Sequence, residues 1–189
     1  TRTNDRTNLL VILGLGANLG DPLWQLRKAV ELVEQTISVT AISSVYLTEP
    51  VGFEDQPQFY NLVLCGTTGE TVYGVHSAIK AAEGLLGRDG EHIRNGPRAI
   101  DVDLLAFGEL VLASGPLTVP HPRMLERSFV LQPLGEILPR WRHPLTRHTA
   151  SESFSMLDAP SHVELIGSLA ALRPALERTT NLLPEQHLR

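Results

Sequence analysis

The chain has 189 residues, of which 42% are hydrophobic and 20% charged, and a net charge of −5. That length suits one domain with a sizeable core plus an appendage, but not comfortably two. The acidic balance excludes a nucleic-acid or anionic-membrane partner, because such binding needs a basic surface.

Thr1 to Asn8 is polar and lacks the apolar stretch of a signal peptide. No run approaches the ~18–20 apolar residues of a membrane span, so a cytoplasmic location is expected. Leu9 to Leu15 is continuously apolar and reads as a central buried strand. Gly14, Gly16 and Gly20 follow a G-x-G-x-x-x-G spacing, one residue too long for a dinucleotide fingerprint, and are assigned to the turn into a helix. No P-loop sequence occurs anywhere. Asp21-Pro22 supplies an N-cap carboxylate and a proline at the first helical position. Leu23, Leu26, Val30 and Val33 then mark an amphipathic helix to about Gln35.

Ile37 to Tyr46 reads as a second strand, Leu47 to Gln58 as a loop punctuated by Pro50, Gly52 and Pro57, and Asn61 to Gly66 as a third strand. Cys65, the single cysteine, excludes a disulfide framework and a thiolate-rich zinc site, and its apolar run marks it as a buried thiol. Val72, Val75, Ile79, Ala82 and Leu86 share one face of a helix over 71–86, with His76, Lys80 and Glu83 on a solvated stripe and Gly87 as the stop. Gly87 to Pro97 is a polar loop, Ile100 to Phe107 a fourth strand, Leu117 to Pro122 an extended segment and Glu126 to Glu136 at least partly helical. His162 to Leu172 has a helical texture, followed by a polar tail. The β-α-β-β-α-β order is that of a ferredoxin-like α+β core with a mostly antiparallel sheet. Residues 9–144 make up that domain, and 145–189 a C-terminal extension of helix and tail.

Asp101 and Asp103 carry the most chemistry. Alternation in a strand lets Ile100, Val102 and Leu104 fill a core while both carboxylates share the opposite face. Two hard oxygen donors close to guanidinium groups suit Mg²⁺ carrying a polyphosphate, since magnesium is held by one or two carboxylates plus substrate phosphates. Fourteen of the 16 basic residues are arginine. Arg88, Arg94 and Arg98 crowd the loop before the aspartates, and Arg123 and Arg127 follow His121. The guanidinium fork matches phosphate oxygens, so this focused cluster points to an anionic small molecule. A loop as long as Gly87–Pro97 is suited to act as a lid. His121, held extended between Pro120 and Pro122, reads as a phosphate-side donor in that basic company. Phe59 and Phe129 are core residues by default. Stacking on a planar heterocycle is the functional alternative, with Asn61 supplying donor and acceptor edges.

Four segments together resemble the 6-hydroxymethyl-7,8-dihydropterin pyrophosphokinase family of folate biosynthesis. They are Gly14-Leu15-Gly16-Ala17-Asn18-Leu19-Gly20-Asp21, Asn61 after the Gln56-Pro57 loop, Arg94-Asn95-Gly96-Pro97-Arg98 before Asp101-Val102-Asp103, and Thr118-Val119-Pro120-His121-Pro122-Arg123-Met124 before Arg127-Ser128-Phe129. The likeness runs from about Leu9 to Pro144. It implies a ferredoxin-like core and transfer of the β,γ-diphosphate of ATP to the hydroxymethyl oxygen of a pterin, leaving AMP.

By position, the resemblance gives Asp101 and Asp103 two Mg²⁺ ions, with Arg88 and Arg98 also catalytic. It gives Arg88, Arg98, His121 and Arg127 the phosphates, and Glu83, Leu104 and Thr118 the rest of the ATP site. The pterin falls between Phe59 and Phe129, read by Asn61 and by Thr48, Val51 and Gly52. Asn95 stands where the family often has tryptophan, Gly90 lies near a frequent arginine for which Arg94 can stand in, and Phe59 replaces a frequent tyrosine. The implied partners are ATP and a pterin, without nucleic acid or membrane, and the expected state is a monomer or weak dimer. The extension has no family counterpart and is too short for the synthase barrel sometimes fused to this enzyme, which needs at least ~200 residues. Two rival readings are another D-x-D metal-dependent nucleotide transferase, such as a nucleotide-sugar glycosyltransferase, and a ferredoxin-like ligand-binding module without catalysis.

Overall fold

A computed structural model describes residues 8–50, 55–87, 96–115, 117–158 and 161–171. β1 (Leu9–Ala17) is an interior strand of a six-stranded sheet. It pairs antiparallel with β4 (Phe59–Thr68) on one side and β5 (Asp101–Phe107) on the other. The second strand of the sequence reading is two, β2 (Ser38–Ile42) and β3 (Ser44–Thr48), and both lie along β4. The break falls at Ser43, whose hydroxyl accepts from the Val63 amide while its own amide donates to the Val63 carbonyl. All strand pairs are antiparallel, and the α+β order β-α-β-β-α-β holds with that one interruption.

Period-two alternation in β1 divides its side chains between two cores. Val11, Leu13, Leu15 and Ala17 point to one face, where they meet α1 (Pro22–Val33) and α2 (Val72–Leu85). Ile12 points to the other, with Val63, Cys65 and Leu105, beneath α3 (Ser128–Ile137) and α4 (Ala150–Ser155). The local signals for the first two helices operate as the sequence suggests. Asp21 accepts from the Trp24 amide at 3.1 Å with Pro22 at the start of α1, and Gly87 leaves α2 at φ +87°. Cys65 is buried.

The segment 117–122 contributes β7 (Leu117–Val119) to a hairpin with β6 (Leu112–Ser114), and a 3₁₀ turn over Met124–Glu126 precedes α3.

Two expectations are corrected. Val163 to Ser168 is not helical; it forms β8, pairing antiparallel with β3. The exposed backbone groups of β3 offer a ladder that local helix propensity cannot outweigh, and Leu169 and Ile166 anchor the strand against the α1–α2 core. Gly14 and Gly16 do not make the turn into α1, since both lie inside β1. The turn itself is served by Gly20, at φ +66°. No helix among the described residues is long and apolar enough to cross a membrane.

Candidate active site

Three adjacent strands bring the site together. In the sheet register Gly16 lies opposite Asp101 on one side and Asn61 on the other, while Gly14 lies opposite Asp103. Cross-strand partners share a face, so both aspartates and Asn61 project over a floor that the two glycines leave bare. A Cβ on Gly16 would come within 2.7 Å of Asn61 Oδ1, and one on Gly14 within 3.3 Å of Leu105 Cδ1. Above this floor the start of α3 supplies Arg127 and Phe129. The result is a cleft of about 240 Å³ lined by Asp101, Asp103, Arg98, Arg123 and Arg127 as well as Thr48, Phe59, Asn61 and Phe129.

The charged groups are interlocked. Arg98 Nη1 pairs with Asp101 Oδ2, and Arg127 Nη1 with Asp103 Oδ2 at 3.0 Å. Each pair keeps about a fifth to a third of its side-chain surface in solvent, so an incoming ion or phosphate can reach it. The Arg127 guanidinium also lies 5.5 Å from the centre of the Phe129 ring, within cation–π range. His121 Nε2 is 3.9 Å from Asp103 Oδ2, and its Nδ1 accepts from the Arg123 amide. Burial holds the His121 imidazole below its ordinary range. Asp103 and, more weakly, Asp101 oppose this, whereas Arg127 and Arg123 add to it. At the other end of the cleft Asn61 Nδ2 donates to Thr48 Oγ1 at 2.8 Å, which fixes the amide with both residues buried.

Asn18, to which no local motif gives a role, ties the two ends together. It is 4% exposed; its Nδ2 donates to Gln56 Oε1 and the Pro57 carbonyl, and its Oδ1 accepts from the Arg98 amide at 2.8 Å. One buried amide thus anchors both the segment leading to Phe59 and the backbone of Arg98. The available signal was a polar residue within the glycine-rich run that follows a buried strand.

Other predicted positions lie elsewhere. Leu104 is buried in the core facing α1 and α2, and Thr118 is exposed on β7. Glu83 is not on a solvated stripe. It is 3% exposed, accepts from the Val102 amide at 2.9 Å and pairs with Lys80 at 2.7 Å. Arg88, Val51 and Gly52, together with Gly90, Arg94, Asn95 and most of the proposed lid, lie outside the described residues.

Known proteins resemble this chain in sequence and in fold. The sequence pattern of the family described as 7,8-dihydro-6-hydroxymethylpterin-pyrophosphokinase (HPPK) matches residues 12–139. The Bacillus subtilis 2-amino-4-hydroxy-6-hydroxymethyldihydropteridine pyrophosphokinase is 43% identical over 132 residues, covering 69% of this chain and 78% of that protein. The protein of the same name from Aquifex aeolicus is 39% identical over 142 residues, 75% of this chain and 88% of its own. The crystal structure of wild-type Plasmodium falciparum HPPK-DHPS with pterin and p-hydroxybenzoate superposes with a TM-score of 0.66 over 81% of this chain and 44% of that one. At 16% identity, that likeness speaks for the fold alone. By pattern and by identity over most of its length, the chain belongs to the HPPK family.

Proposed function

We propose that this protein transfers the diphosphate of ATP to the hydroxymethyl oxygen of 6-hydroxymethyl-7,8-dihydropterin, giving AMP and the pterin diphosphate. The observation that carries the reading is the polarity of the cleft. The Asp101–Arg98 and Asp103–Arg127 pairs stand on the β5 side of the cleft, Phe59 and the fixed Asn61 amide stand across β1 on β4, Phe129 lies beside Arg127, and Arg123, Glu49 and Glu126 also line the cleft. A heterocycle between Phe59 and Phe129 would present its polar edge to Asn61, with the phosphates over Arg98 and Arg127. His121, Arg123 and Arg88 would add donors around the phosphates, and Val51 and Gly52 backbone contacts to the pterin.

The residues present fit magnesium. Asp101 and Asp103 offer hard oxygens on one strand face, and each is held by a displaceable arginine. No cluster of three or more metal-ligating side chains occurs among the described residues. That suits an ion completed by phosphate oxygens and water rather than an all-protein cage. Asp101 and Asp103 would hold two such ions. Bound magnesium supplies charge neutralisation on the phosphates and acidification of a coordinated hydroxyl. The chain's own contribution is alignment. Such transfers depend on positioning and electrostatics more than on covalent help from the protein, and arginines released from the aspartates would be free to meet phosphate charge. The net charge of −5 supports small-molecule partners over nucleic acid.

Product analysis tests the reading. Incubation with ATP, Mg²⁺ and the pterin should yield AMP and pterin diphosphate in equal amounts. ADP, sugar transfer from a nucleotide sugar, or binding without turnover would overturn it.

A further inference from the structure

The cleft has one wall that comes from far beyond the residues matched by the family pattern. Ser161 lines it, although that pattern ends at residue 139. The residue is carried there by β8. Val163, two positions later, pairs with Thr48, and the ladder continues through Glu164 opposite Leu47 to Ser168 opposite Ser44. Thr48 is paired with Phe59 on its other side, and its hydroxyl takes the hydrogen bond from Asn61. The strand is held at its far end by Leu169, 7% exposed in the core, and by Ile166 packed against that core. Its start is therefore fixed beside Thr48, Phe59 and Asn61, at the end of the cleft away from the Arg98–Asp101 and Arg127–Asp103 pairs.

We infer that the C-terminal extension is a built-in wall of the pterin end of the cleft, with Ser161 as a specificity-determining residue that limits the space beside the bound heterocycle. This rests on the proposed function. The geometry gives the wall two effects. Ser161 is a small residue in the lining, where a large side chain would take up cleft space, and pairing of β8 with β3 steadies Thr48, and through it the Asn61 amide.

Thiol protection in the full chain tests this directly. Cys65 is buried, so Ser161→Cys introduces a single accessible thiol whose reaction rate reports local access. Saturating pterin, with binding measured separately by calorimetry, should slow its modification by at least about tenfold, whereas the same change at Met156, which is 61% exposed, should react at an unaltered rate. Ser161→Trp should raise the KM for the pterin by about tenfold or more, with the KM for ATP and the thermal midpoint near wild type. An unprotected thiol on a protein that demonstrably binds the pterin would overturn the wall and leave the function standing. Protection by an ATP analogue alone would move Ser161 to the nucleotide end and overturn it too. Absence of pterin binding to the wild-type chain would overturn the function and the wall together.

Discussion

The Arg127 guanidinium stands 3.0 Å from the Asp103 carboxylate, 24 positions away in sequence, and so occupies an oxygen that the proposed chemistry needs for a cation. Arg98 does the same at Asp101. On the proposed function, binding of the metal nucleotide would be an exchange: each carboxylate would trade its arginine for a metal ion, and each arginine its carboxylate for phosphate. Asp101→Asn and Asp103→Asn should each lower kcat by about 10³-fold or more, equivalent to roughly 4 kcal/mol of transition-state stabilisation. Arg127→Ala should raise the KM for ATP while letting divalent ions bind Asp103 more readily without nucleotide. Steady-state kinetics and manganese titration measure both. Wild-type metal affinity and turnover in the two asparagine variants would remove the aspartates from the site.

The glycine floor makes a paired prediction. Gly16→Ala places a methyl group 2.7 Å from Asn61 Oδ1, and the amide cannot yield without losing its bond to Thr48. Gly14→Ala meets Leu105 Cδ1 at 3.3 Å, the end of a side chain able to shift by a few tenths of an ångström. The first should raise the KM for the pterin by about tenfold or more. The second should change it far less and cost stability by no more than about 1–2 kcal/mol of overpacking. Equal pterin kinetics in the two variants would show that the amide is not where the substrate is read.

Local signals were legible in the sequence, and relationships between distant segments were not. The Asp21-Pro22 cap, the apolar spacing of α2 and the shared face of Asp101 and Asp103 each depend on a few neighbouring residues, and all three recur in the structure. The role of Gly14 and Gly16 depends on β5 and β4 lying on either side of them, whereas their local spacing points only to a turn. Val163 to Ser168 is a strand because β3 has an edge to fill, which nothing within that segment announces. The arginine–aspartate pairs follow the same rule: Arg98 is near Asp101 in sequence, whereas Arg127 reaches Asp103 because α3 begins over the sheet.

Tyr46 gives a pH signature of the packing between β3 and α3. Its hydroxyl donates to Glu136 Oε2 at 2.9 Å, and the same carboxylate accepts from the Ser44 amide and hydroxyl. Burial, then the bond to Glu136 and its negative charge, push the phenol up to about 12. Because the folded value lies above the unfolded one, the folded chain retains a proton that the unfolded chain loses, so this contribution to stability is complete below pH ~10 and disappears as pH rises toward 12. Absorbance at 295 nm should show one tyrosine ionising near 12. Tyr46→Phe should remove that step, and Glu136→Gln should lower its midpoint. A full tyrosine titration complete by pH ~11 would contradict the pairing.

Glu83 separates two roles that the family likeness and the geometry assign to the same residue. The likeness implies a position near the adenosine, whereas its Oε1 accepts the amide of Val102, the residue between the two aspartates. Glu83→Ala leaves that buried N–H without its acceptor and the Lys80 ammonium without its carboxylate, which should cost roughly 1–3 kcal/mol. Glu83→Gln retains an oxygen for Val102 and should recover most of the stability. A strand-positioning role therefore predicts that thermal midpoint and kcat fall together in the alanine variant and return together in the glutamine variant. A nucleotide contact predicts a raised KM for ATP in both variants, whatever their stability. Denaturant titration alongside ATP kinetics distinguishes these outcomes. We expect the first, because the residue is 3% exposed and lies outside the cleft lining.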